Sequence, residues 1–217
     1  MNGERRMRRY GRTNLPYVTI ALTILNAAVF LVTDLLLRDR GPEVAYYMSL
    51  NPFLAWNRGE YWRFFTSMFY HFGIEHLASN LLMLYFTGTM LEQTFGHIRF
   101  LILFVGSGLM GGAASVFYNS VIVPENAAKV YCAGASGAVY GLIGAYAVSF
   151  FFQRRRVSGE EKTRIAVAVI FLLFGTIYDT GVGHDAHFGG FFAGTLIGML
   201  YSVMERNKHR RRSDTGQ

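Results

Sequence analysis

The sequence is poor in charge, nearly free of cysteine and short of proline. Only 16% of its 217 residues are Asp, Glu, Lys or Arg, against about a quarter in soluble domains. The charges cluster at the ends of apolar runs. That pattern excludes an ordinary water-soluble globule. Cys132 is the single cysteine, so no intrachain disulfide can form and the redox compartment cannot be inferred. A formal charge of +7 raises nucleic acid as a partner. Basic patches interleaved with aromatics are missing, however: the aromatics lie inside apolar runs and the basic residues at their ends. No nucleic-acid partner is expected. The His-Glu-x-x-His of a helical zinc protease is also lacking, because Glu75-His76 has no second histidine at the required spacing. No internal repeat of transporter type is visible.

What the chain has in quantity is apolar sequence, 52% of residues. A spanning helix needs about 20 mostly apolar residues. Spans are expected over 16–37, 72–92, 98–118, 134–152, 163–178 and 186–204. The first is too long for a signal-peptide core, and no small-residue cleavage site follows it. It therefore reads as a retained helix, with Pro16 suited to its first turn. Residues 1–15 form a short basic cytoplasmic tail, 16–205 the membrane domain and 206–217 a second basic cytoplasmic tail. The connection 38–70 carries Trp56, Tyr61, Trp62 and Phe64, which suit the membrane interface.

Charge asymmetry orients these spans. With the N-terminus inside, sixteen of the 21 Lys and Arg fall on the inner side and five on the outer. Basic residues favour the cytoplasmic side, so both termini are expected there, in a multi-pass protein of the cell membrane. The second, fourth and sixth spans then begin at the outer face. At that level lie His71, His76 and Asn80, then Ser136 and Tyr140, then His184, Asp185 and His187. Polar groups at membrane depth are costly and usually face the bundle interior.

His76 and Asn80 are four residues apart, as are Ser136 and Tyr140, so each pair shares a helix face. Taken singly, such pairs read equally well as interhelical hydrogen-bond glue. Gly137 and Gly141 on one span, and Gly190, Gly194 and Gly198 on another, form small-xxx-small faces that permit close approach. That approach could bring Ser136 to His187, and a serine nucleophile needs an adjacent base. Gly-x-Ser-Gly also occurs at the nucleophile elbow of soluble hydrolases, but a strand precedes it there and a polar loop precedes it here. Asp179 and Asp185 sit in one loop region rather than on two helices, which argues against an aspartyl protease. His71, His76, His184 and His187 could in principle hold a metal; neither a metal nor another cofactor is expected.

In chain order, Trp62-Arg63, His71, His76-x3-Asn80, Glu92, Gly134-x-Ser136-Gly137 with Tyr140, and Ala186-His187-x2-Gly190-x3-Gly194 together resemble the rhomboid intramembrane serine proteases. The resemblance covers about 62–198. It implies an all-α membrane protein, a six-transmembrane-helix rhomboid-like bundle, and hydrolysis of peptide bonds in or beside the bilayer. By the same resemblance Ser136 is the nucleophile and His187 the general base of a dyad. His76 and Asn80, with the Ser136 N–H, form the oxyanion hole. Tyr140 stacks on the catalytic histidine, and His71 has a supporting role. Gly134 permits close approach of the loop. Trp62-Arg63 and Glu92 take structural positions. Asp185, two residues before His187, is not assigned as a third catalytic member.

A hydrogen-bonded helix hides its carbonyls, so substrate must unwind locally. The expected partners, besides the lipid bilayer, are single-span membrane proteins with Gly, Pro or small polar residues near a cut close to the outer face. Phe171, Phe174 and Tyr178 on the fifth span could, by resemblance, help form a lateral route to the site. The alternatives are a catalytically inactive rhomboid-like binder or a small transporter. An inactive relative would be expected to lack the serine or the histidine, and both are present.

Overall fold

The computed structural model describes residues 15–153, 163, 166, 167 and 183–214. Its helices are α1 (Tyr17–Phe30), α2 (Gly41–Met48), α3 (Pro52–Arg58), α4 (Arg63–Thr66), α5 (Ile74–Phe95), α6 (His97–Phe117), α7 (Ser136–Gln153) and α8 (His184–Asp214). No strand occurs among the described residues; the β pairing there is a lone bridge between Leu50 and Cys132. The expected span at 163–178, with Phe171, Phe174 and Tyr178, lies almost wholly outside the described residues.

The boundaries differ from the expected ones in instructive ways. α1 runs on through Leu31–Leu36 in wider, π-type turns, and α6 does the same through Tyr118–Ile122. The second expected span starts at Ile74 rather than at 72, because Gly73 at φ +134° turns the chain before the helix. α8 continues past 204 to Asp214, through the basic tail. Lys and Arg are good helix formers, so leaving an apolar environment gives them no reason to end the helix.

The connection 38–70 is ordered by its own chemistry. Asn51 caps α3 by accepting from the Leu54 N–H at 3.0 Å, with Pro52 in the first turn. Arg63 is fully buried. Its guanidinium donates to the carbonyls of Tyr46, Tyr47 and Ser49 at the end of α2, and to the Glu60 carboxylate. A helix end presents unpaired carbonyls and partial negative charge, and a buried arginine satisfies both. Arg63 thus folds the connection onto itself.

Three described helices are long and apolar enough to cross a membrane: Tyr17–Leu36, His97–Ile122 and His184–Asn207; Ser136–Phe152 is a shorter apolar helix. On α8 the apolar face turned outward is conspicuous, with Phe188 76% and Phe192 66% exposed, and Leu196 and Met199 also exposed. The opposite face of α8 packs on α7 and α6. A helix that is apolar on its outer face as well as its packed one fits a lipid surround. α5 is not among these helices; it carries the polar and charged residues Glu75, His76, Asn80 and Glu92.

One of those groups ties α1 to α5. The Glu92 carboxylate is buried and accepts from the Val18 N–H at 2.8 Å, the Thr19 N–H at 2.7 Å and the Thr19 hydroxyl at 2.6 Å; His97 Nδ1 also meets it. The first N–H groups of a helix lack intrahelical partners, and its N-terminus favours negative charge. Glu92 therefore caps α1 from another helix. Glu92→Ala is expected to destabilise the protein by about 3 kcal/mol or more, since several charge-assisted bonds go and buried donors are orphaned. Thermal unfolding in detergent checks this; an unchanged midpoint would contradict it.

Candidate active site

The chain reaches the site through a loop held from two sides. Leu50 and Cys132 exchange both backbone hydrogen bonds at 2.8 Å. Gly134 donates its N–H to the Ser67 carbonyl at 2.8 Å. Its φ of +109° is one that residues with a side chain rarely adopt, and a Cβ there would stand 2.6 Å from the His76 ring. Glycine at this position lets the His76 imidazole lie against the loop backbone. Ser136 follows as the first residue of α7, at the positive end of that helix.

His187 lies in the first turns of α8 and is buried. Its Nε2 is 2.9 Å from the Ser136 Oγ. Its ring stacks on Tyr140, with centroids 4.1 Å apart and planes 5° from parallel. No described side chain reaches its Nδ1, so the stack, rather than a carboxylate, orients the imidazole. Close helix packing makes this meeting possible. A Cβ on Gly190 or Gly194 would overlap the backbone of Gly137 or Gly141 on α7, so the two helices touch backbone to backbone.

His76, Asn80, Gly134, Ser136, Tyr140 and His187 all line one cavity of about 600 Å³. Asn80 is buried and donates to the His76 carbonyl at 2.8 Å, one turn back on α5. Leu50, Met68 and Cys132 also line the cavity; apolar loop residues carry no signal in sequence that could have placed them here. Among the described residues no group of three or more His, Cys, Asp or Glu is arranged to hold a metal ion.

His71 is fully buried behind the loop. Its Nδ1 meets the Phe69 carbonyl at 3.3 Å, and its Nε2 accepts from the Ala135 N–H at 3.4 Å. That arrangement needs a neutral ring. Burial, with His76 edge-on beside it, lowers its pKa from 6.5 to about 4. A folded pKa below the unfolded one means that the unfolded chain binds protons more readily. The His71 contribution to stability is therefore present above pH 6.5 and lost as pH falls toward about 4. Thermal midpoints measured across that window should fall less steeply in His71→Gln, which keeps an acceptor but cannot titrate. Identical slopes would contradict this reading.

A sequence profile of the Rhomboid domain matches residues 58–204. The chain is 31% identical over 195 residues to "Rhomboid protease GluP" of Bacillus subtilis, covering 87% of this chain and 36% of that one. It is 31% identical over 158 residues to "RHOMBOID-like protein 1" of Arabidopsis thaliana, covering 71% and 38%. It is 28% identical over 216 residues to "Rhomboid-related protein 3" of Homo sapiens, covering 92% and 51%. The chain thus spans between a third and a half of the length of these relatives.

Proposed function

This chain belongs to the rhomboid family, and from that premise we propose that it is an intramembrane serine endopeptidase in which Ser136 and His187 form a catalytic dyad. Membership and the apolar helices make it a multi-pass helical membrane protein. We further propose six spans, with the undescribed stretch 163–178 as the fifth, both termini cytoplasmic, and the site near the outer face. The basic tails 1–15 and 206–217 then flank one membrane domain, 16–205.

The observation that carries the dyad is the 2.9 Å approach of His187 Nε2 to Ser136 Oγ. At that distance the imidazole can take the hydroxyl proton as the oxygen attacks a scissile carbonyl. An acyl-enzyme forms, and the imidazolium returns the proton to the leaving amine. Water then attacks the ester by the same base. The oxyanion develops beside the start of α7, where helix N–H groups are unpaired and the dipole is positive. His76 and Asn80 line the same cavity, and on this reading they add side-chain donors. In soluble proteases one such donor is worth about 3–4 kcal/mol in the transition state. Substrates on this account are single-span membrane proteins that unwind near the cut.

The test is cleavage of a single-span reporter protein in membranes, with the fragment ends mapped by mass spectrometry. A cut within or next to the reporter's outer membrane boundary is expected. A binder or transporter would leave the reporter whole.

A further inference from the structure

Asp185 is the second residue of α8 and makes no hydrogen bond to the His187 ring; its bonds run elsewhere. Its Oδ1 accepts from the Ala186 N–H at 2.9 Å. Its Oδ2 accepts from the Ser115 hydroxyl at 2.9 Å and from the Asn119 amide at 2.5 Å. Ser115 and Asn119 are buried, four residues apart on the last turns of α6 and its extension. Asn119 also donates to the Ser115 carbonyl at 2.9 Å, which fixes its own amide. The Ser115 hydroxyl lies 3.5 Å from the Cys132 sulfur, in the loop that leads to Ser136. One carboxylate thus joins the first turn of α8 to the end of α6, next to the loop that carries the serine.

We propose that Asp185 is a positioning residue for the Ser136–His187 pair: by anchoring the first turn of α8 to α6 through Ser115 and Asn119, it sets where the His187 imidazole stands. The proposal rests on the protease reading above. Nothing described holds His187 Nδ1, so the approach to Ser136 depends on the Tyr140 stack and on where the α8 backbone sits. The glycine contacts fix α8 against α7 from Gly190 onward. These tightest contacts lie on the far side of His187 from Asp185; on the near side the Ala186 carbonyl packs on Gly111 of α6 and Gly137 of α7, and the carboxylate adds the polar anchor there. A negative charge in the first turn of a helix is also favourably placed.

Reacting groups displaced by about 1 Å can lose 10²-fold in rate. Asp185→Ala is expected to lower kcat, counted per phosphonate-titrated active site, by about 10- to 100-fold. KM should stay unchanged; the thermal midpoint should fall, because the buried Ser115 and Asn119 donors lose their acceptor, and counting kcat per titrated site separates that loss from the effect on rate. Asp185→Asn serves where alanine lowers the folded yield. Asn119→Ala should lower kcat in the same way, and the double variant should lose much less than the product of the two, as groups in one network do. A purely structural role would lower the titratable fraction and the thermal midpoint and leave kcat per site alone. Unchanged kcat per site, or full additivity of the two substitutions, would overturn the proposal while wild type still cleaves. A wild type that neither cleaves nor titrates would overturn the protease reading, and this proposal with it.

Discussion

Ser136→Ala is expected to reduce cleavage of the single-span reporter below detection while leaving the protein folded. In soluble serine proteases loss of the nucleophile costs about 10⁶ in kcat, because the remaining groups cannot act without it. Ser136 loses little else on substitution. Its hydroxyl meets His187 Nε2, and a single hydrogen bond contributes about 1 kcal/mol net. The thermal midpoint should therefore move by a few degrees at most. Reporter fragments appearing at the wild-type rate would remove Ser136 from the chemistry. A collapse of folded yield would show that the residue holds α7 together instead.

Gly194→Ala is expected to have the second-largest effect, by a different route. A Cβ at Gly194 would overlap the carbonyl oxygen and Cα of Gly141. These are backbone atoms and cannot swing aside as a side chain would. The added methyl must push α8 away from α7. Overpacking of a close core typically costs about 1–3 kcal/mol, occasionally more. It also withdraws the helix that carries His187, so activity should fall by about 10² or more even in the folded fraction. Gly106→Ala is the matched control, because its Cβ would meet only the flexible end of Ile197 at 3.4 Å. Folded yield in detergent and cleavage rate, measured on both variants, separate the two cases. Equal behaviour would mean that close backbone contact between α7 and α8 does not matter.

The residues of the site were legible because their chemistry is conspicuous in an apolar chain. Histidines, an asparagine and a serine that line one cavity stand out against Leu, Phe and Val. The glycine spacing on α7 and α8 was legible for the same reason. It gave the right face of each helix, and the structure adds that the contact is backbone on backbone. Asp185 shows where such reading stops. Its closeness to His187 in sequence sets it aside as a third catalytic member, and its carboxylate bonds elsewhere. Its partners Ser115 and Asn119 lie 70 and 66 residues away, and no local pattern announces a bond over that separation. The signal available was their spacing of four on one face of α6, level with the site. The resemblance likewise implies a structural position for Glu92, but that it caps α1 follows only from the packing of α1 against α5. The wider turns ending α1 and α6 carry no signature in the residues that form them.

The most direct test of the central claim is labelling of the detergent-solubilised protein with a fluorophosphonate, followed by mass-spectrometric mapping of the adduct. Phosphonates react with serines that a neighbouring base has activated. The account predicts a single adduct on Ser136 in wild type, none in Ser136→Ala, and a strongly reduced rate in His187→Ala. An adduct on another residue, or labelling of Ser136 that proceeds undiminished without His187, would contradict it.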